Sequence, residues 1–236
     1  MSVIKQIQEN PNYINRHIMT YDEMASAEQG TSQEPLVDVR KYDPSIVSQH
    51  EQSDMQAYTG ESILVRDTVA KKLAEVNKQL RNTNNLRLRI VYGFRHPKVQ
   101  EKYFRERKEV LRRENPSMSE YDLIRLVHDF VAVPDVAGHP MGAAVDLTLV
   151  DDSNNPVDMG NTISDYSDPD IIKTFAEVTS EQALYRKILH DAMIAQGFAP
   201  FYGEWWHFSY GDREWATFYG KKKAIYDSII DRKSVV

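Results

Sequence analysis

The sequence predicts an α+β fold: one domain with helices packed on a small, mainly antiparallel sheet. Three observations carry that prediction. From Arg66 to Arg81, Val69, Leu73, Val76 and Leu80 recur at helical spacing, the mark of an amphipathic helix. Leu86, Leu88, Ile90, Tyr92 and Phe94 then alternate with Arg87, Arg89 and Val91, as in a half-buried strand. Short strand-like runs and helical stretches follow one another along the chain without internal repeat.

Taken in order, residues 1–35 are polar and weakly patterned, ending at Pro35, and predict an extended lead-in that wraps the body. The expected domain spans 36–236, entered through the short strand Leu36-Val37-Asp38-Val39. After the helix at 66–81, the strand at 86–94 runs into Gly93 and presents Arg95 at its end. Helices are expected over 97–114 and 118–131, the second opened by a capping box at Ser117-Met-Ser-Glu120. Ala144 to Val150 reads as a strand. Thr179-Ser-Glu-Gln182 is a further capping box, opening a helix through Gln196 that stops at Gly197. Phe198 to Tyr210 is rich in aromatics and predicts two short strands.

Composition narrows the function classes. With 236 residues, 41% hydrophobic and 27% charged, the chain resembles ordinary globular proteins and can bury a core without disulfides. A net charge of −6 and no basic stripe exclude nucleic acid as a partner. There is no cysteine, which removes thiol nucleophiles and thiolate metal sites, so any metal must sit on His, Asp or Glu. The longest apolar run in the first twenty residues is Val3-Ile4, against the roughly 7–15 residues of a signal peptide core. No stretch approaches the ~20 apolar residues of a membrane span. The expectation is a cytoplasmic protein, or a periplasmic one whose leader has been removed.

Two segments carry chemistry. In Gly138-His139-Pro-Met-Gly142-Ala-Ala144-Val-Asp146, small residues let a loop turn tightly into a strand, so that His139 and Asp146 face one point. In Gly203-Glu204-Trp205-Trp206-His207, the Glu and His cannot share a face of an ideal strand, and they converge if the backbone bulges at Gly203. Each has a plainer account alone: a surface loop His with a strand-end Asp, and an aromatic core strand with a polar rim. Together they supply two imidazoles and a carboxylate as ligands plus a spare carboxylate. Three protein ligands with an open fourth position are what catalytic zinc requires. The spare Glu204 is then free to take a proton from the attacking water.

These segments resemble the D-alanyl-D-alanine dipeptidases of vancomycin-resistance type, within the family of zinc D,D-peptidases. Both halves of that signature, His-x-x-Gly-x-Ala-x-Asp and Glu-Trp-Trp-His, stand intact, and the similarity runs from about Leu36 to Tyr210. The resemblance implies one Zn2+ per chain on His139, Asp146 and His207, with Glu204 as base and a D-Ala-D-Ala-like dipeptide as substrate. It implies that Arg95, in Tyr92-Gly93-Phe94-Arg95, steadies the oxyanion. It also implies that Asp165, nineteen residues after Asp146, holds the substrate ammonium, with Tyr42 as a second contact. The chain departs from the family at Ala137, where a serine is common, and at His96, inserted before Pro97 and expected to be exposed. His17, His50, His128 and His190 lack partners at ligand spacing, and His128 and His190 are read as packing or surface residues. Two alternatives stay open: a D,D- or L,D-carboxypeptidase acting on longer peptidoglycan peptides, and a non-catalytic metal-bound recognition module.

Overall fold

A computed structural model describes residues 17–229. The first of its elements is the short helix α1 (Tyr21–Ala25), capped reciprocally by Thr20 and Glu23. Strands β1 (Leu36–Asp38) and β2 (Val47–Ser48), helix α2 (Gln56–Thr59) and strand β3 (Leu64–Arg66) lead to the long helix α3 (Asp67–Asn84). Strand β4 (Arg87–Tyr92) and the helices α4 (Pro97–Glu114) and α5 (Glu120–His128) follow. A 3₁₀ turn at His139–Met141 opens onto β5 (Ala144–Val150). Helix α6 (Ser180–Ala195), strands β6 (Ala199–Pro200) and β7 (His207–Ser209) and helix α7 (Arg213–Phe218) complete the order. Among the described residues, no helix is long and apolar enough to cross a membrane.

The main sheet has the order β2-β4-β5-β7-β6, antiparallel throughout except for the parallel pair β2/β4. All seven residues of β5 are buried, as expected of a central strand covered on both faces. Helix α3 supplies one cover: Val69, Leu73, Val76 and Leu80 are each fully buried on the stripe that their spacing predicts. Its buried Asn77 accepts from the Leu88 amide at 2.8 Å and donates to Asp43 Oδ2 at 2.8 Å, tying helix to sheet. Helices α4 and α5 form a separate hairpin around Leu111, Leu123 and Val127.

Residues 17–35 lie against the body. Met19, Met24 and Ala27 are buried with Val136, Trp215 and Phe218. Glu28 and Ser32 make parallel bridges to Lys223 and Tyr226 near the other end of the chain. Arg66 staples these parts together: its guanidinium donates to the carbonyls of Met141 at 2.6 Å, Asp227 at 2.6 Å, and Glu34. Residues 1–16 of the expected lead-in lie outside the described residues.

Three local expectations are corrected. The cap of α5 is Ser119, which accepts from the Asp122 amide at 3.1 Å, and not Ser117; that serine lies inside the turn Asn115–Met118, two residues before the cap position. His96 is not simply exposed: it is half-buried, stacks on Tyr58 with ring centroids 4.1 Å apart, and caps α4 through Nδ1. Glu204 and His207 converge through a turn and not a bulge, because the Glu204 amide bonds Phe201 O and the His207 amide bonds Glu204 O. The bulge in the sheet falls instead between Ile90 and Tyr92.

Candidate active site

Strand register assembles the centre. Tyr92 on β4, Asp146 on β5 and His207 on β7 pair directly across the sheet, so the three side chains stand in one row. His139 reaches the same point from the 3₁₀ turn. The chain can make that turn because Gly142 takes φ +67, and a Cβ there would lie 2.4 Å from Leu36 Cδ2. Gly138 is as constrained, since a Cβ would fall 2.0 Å from Asp212 Oδ2.

Asp146 sits between the two imidazoles, with Oδ2 3.3 Å from His139 Nε2 and Oδ1 3.0 Å from His207 Nδ1. One ligand atom from each of the three residues lies within 4.8 Å of the others. His139 Nδ1 bonds Gly93 O at 2.8 Å, which puts the ring proton there and leaves the Nε2 lone pair facing the centre. Burial lowers the proton affinity of His139, favouring the neutral ring that coordination needs. Burial pushes the Asp146 carboxyl up, but the two histidines outweigh it and hold this group well below the carboxylate range. Two nitrogens and one carboxylate oxygen, buried and converging, are a donor set that fits a single catalytic zinc ion.

A cavity of about 370 Å³ opens on this cluster, within the range of small-molecule sites. Glu204 lines it, and burial pushes its carboxyl up to about 7, where a general base works near neutral pH. The Tyr166 hydroxyl donates to Glu204 Oε1 at 2.8 Å. Arg95 lines the cavity from the far end of β4, its backbone amide bonded to His139 O at 3.1 Å. The guanidinium lies 4.5 Å from the Tyr92 ring centre and 5.3 Å from that of Tyr103, and both of these tyrosines donate to Asp54. Gln100 accepts from Arg95 Nη1 at 2.9 Å and donates to Ala132 O at 2.8 Å. Arg95 is thus clamped by two rings and an amide, the preorganisation an oxyanion contact needs.

The structure brings His139, Asp146, His207, Glu204 and Arg95 to one cavity. It does not bring Asp165 and Tyr42 there. Asp165 is exposed and accepts from the Ser167 amide at 3.0 Å; Ser164 just before it adopts φ +62, and the chain turns so that Tyr166 lines the cavity. The Tyr42 hydroxyl donates to Asp67 Oδ1 at 2.6 Å, bound to the first turn of α3. Ala137 does line the cavity. Sequence reasoning missed Tyr166, Gln100 and the Tyr92–Tyr103 pair. None of them carries a signal in its local pattern: period-two spacing puts Tyr92 on the face of Ile90, and the bulge between the two moves it to the face of Asp146.

Comparison with known proteins follows the same lines. A profile described as D-ala-D-ala dipeptidase matches residues 40–226. A D-alanyl-D-alanine dipeptidase of Synechocystis sp. is 36% identical over 101 residues, covering 39% of this chain and 41% of that protein. Among solved structures, a mutant of the vancomycin-resistance D,D-pentapeptidase VanY in complex with Zn(II) aligns at 16% identity. It covers 84% of this chain and 96% of that one, with a TM-score of 0.41. The LD-carboxypeptidase LdcB aligns at 18% identity over 80% of each chain, with a TM-score of 0.46.

Proposed function

This chain belongs to the D-ala-D-ala dipeptidase family of peptidases, and from that premise we propose that it is a zinc-dependent enzyme hydrolysing D-alanyl-D-alanine or a related D-amino-acid dipeptide. The observation that carries the reading is one cavity lined at once by His139, Asp146 and His207, by Glu204 and by Arg95. His139, Asp146 and His207 would hold the ion. When bound, it supplies Lewis-acid polarisation of a carbonyl and acidification of water.

The chain's own groups do the rest. Glu204 takes a proton from the attacking water as the water oxygen bonds the scissile carbonyl carbon. The Arg95 guanidinium, already clamped, faces the negative charge that develops on the carbonyl oxygen. Glu204 then passes its proton to the leaving amine as the C–N bond breaks, giving two free amino acids. The Tyr166 hydroxyl fixes one oxygen of Glu204, so that the carboxylate keeps one orientation through both transfers.

Glu204→Ala tests the reading. The variant is expected to bind zinc like the parent protein and to lose turnover by about a thousandfold or more. Unchanged hydrolysis would overturn the mechanism. One observation favours a second reading, a carboxypeptidase acting on longer peptidoglycan peptides: neither Asp165 nor Tyr42 reaches the cavity to hold a free ammonium. Free and N-acetylated D-Ala-D-Ala separate the two. A dipeptidase cleaves the free form in preference, and a carboxypeptidase does not.

A further inference from the structure

Behind the three metal-ligating side chains stands a carboxylate that the mechanism does not use. Gly211, at φ +87, turns the chain out of β7, and Asp212 caps α7 by accepting from the Trp215 amide at 2.8 Å. The second residue of that helix is Glu214, 4% exposed and lining the cavity. Its Oε2 lies 3.5 Å from His207 Nε2, while the other ring nitrogen, Nδ1, lies 3.0 Å from Asp146 Oδ1. Its Oε1 is buried with no hydrogen-bond partner among the described residues. Helix capping does not explain this burial, because Asp212 performs the capping.

An imidazole offers a lone pair only from the nitrogen that carries no proton. In the metal-free protein Nδ1 bonds Asp146 Oδ1; once a cation engages Asp146, the carboxylate 3.5 Å from Nε2 is the acceptor that would hold the ring proton there and leave the Nδ1 lone pair toward the centre. The other histidine is set in the opposite sense, with Nδ1 against the Gly93 carbonyl and Nε2 facing inward. One histidine is therefore oriented by a neutral acceptor and the other by a charged one. A charged acceptor also raises the basicity of the ligand nitrogen.

We infer that Glu214 is a positioning residue of the metal centre: it fixes His207 as an Nδ1 ligand and sets the affinity with which the ion is held. The inference rests on the metal-site reading above, and its test separates the two. Glu214→Gln removes the charge but keeps an acceptor, and Glu214→Leu removes both. For the parent and both variants, zinc affinity is measured by competition with a chromophoric chelator, together with the visible spectrum of the cobalt-substituted protein and the Tm of the metal-free protein. The expected result is a zinc affinity about tenfold weaker for the Gln variant and about a hundredfold weaker for the Leu variant, with a shifted cobalt spectrum. The metal-free Tm should stay level or rise, because a buried carboxylate has been removed. Parent-like affinity and cobalt spectrum in both variants would overturn the inference, and so would an affinity loss that only follows a falling metal-free Tm. A parent protein that takes up no zinc would overturn the metal-site reading itself.

Discussion

The two sides of the cleft hold their groups in different ways. On the sheet side, Tyr92, Asp146 and His207 are placed by strand pairing, and every backbone bond of β5 helps to fix them. On the other side, residues 160–175 form no regular element and are held at a few points. The Trp205 indole donates to Asn161 Oδ1 at 2.7 Å, and buried Arg186 donates to the carbonyls of Met159, Ile171 and Lys173 at 2.7–2.9 Å. Between those anchors, Ser164 to Asp170 are exposed, and only Tyr166 reaches inward to Glu204. The difference teaches that the donor cluster on the sheet and the loop that faces it depend on separate sets of interactions. Damage to one side should leave the other standing.

Arg186→Met is the strongest way to break that separation. It leaves three carbonyls without their donor and should cost about 3 kcal/mol in denaturant unfolding. Zinc affinity should remain near that of the parent once the variant is folded; a parallel loss of metal would show that the two sides are coupled.

Acid tests a third part of the wall, the end of α5. His128 is buried there, and burial pushes its proton affinity down to about 4. The neutral ring accepts from the Val133 amide at 3.3 Å. The unfolded chain binds a proton near pH 6.5 and the folded one does not until about pH 4, so stability should fall across that window as pH is lowered. The loss attributable to this residue is on the order of 3 kcal/mol. Unfolding curves for the parent and His128→Gln at pH 7 and pH 4.5 measure it; an equal acid loss in both proteins would exclude His128 as the cause.

A smaller effect is expected at Tyr166. Tyr166→Phe keeps the ring, which makes an edge contact with Trp206, and removes the donor to Glu204. The kcat should drop about tenfold with KM little changed. In a Glu204→Ala background the same substitution should have no further effect, since the hydroxyl acts through that carboxylate. The smallest effect belongs to Asp165→Asn, where the side chain faces solvent: kcat/KM for D-Ala-D-Ala should stay within about twofold of the parent. A loss of about a hundredfold would place Asp165 at the substrate after all, and would mean that the loop rearranges on binding.

The parts legible in the sequence are those set by short-range periodicity. The stripe Val69, Leu73, Val76 and Leu80 announces α3 because a helix with those residues buries one face, and the structure buries all four. The cap at Thr179 is readable because its partner Gln182 is three residues away. The cap of α5 was not, because Ser117 and Ser119 both precede a plausible helix start and only the packed hairpin selects one. Tyr42 and Asp165 stand outside the cavity for a similar reason. Tyr42 is held by Asp67, twenty-five residues away, and the turn at Ser164 sends Ser164 and Tyr166 to the cavity and Asp165 to solvent.

By itself, then, the sequence determined the fold class and the residue types able to grip a cation. Helical and strand periods, like the small residues between His139 and Asp146, are properties of neighbouring positions. Only the tertiary structure decided which nitrogen of each histidine faces the centre, that Ser164 and Tyr166 but not Asp165 line the cleft, and that Glu214 stands behind His207. Those choices depend on contacts between segments that local spacing does not relate, and they are made when the sheet register and the packing of α7 close around the same point.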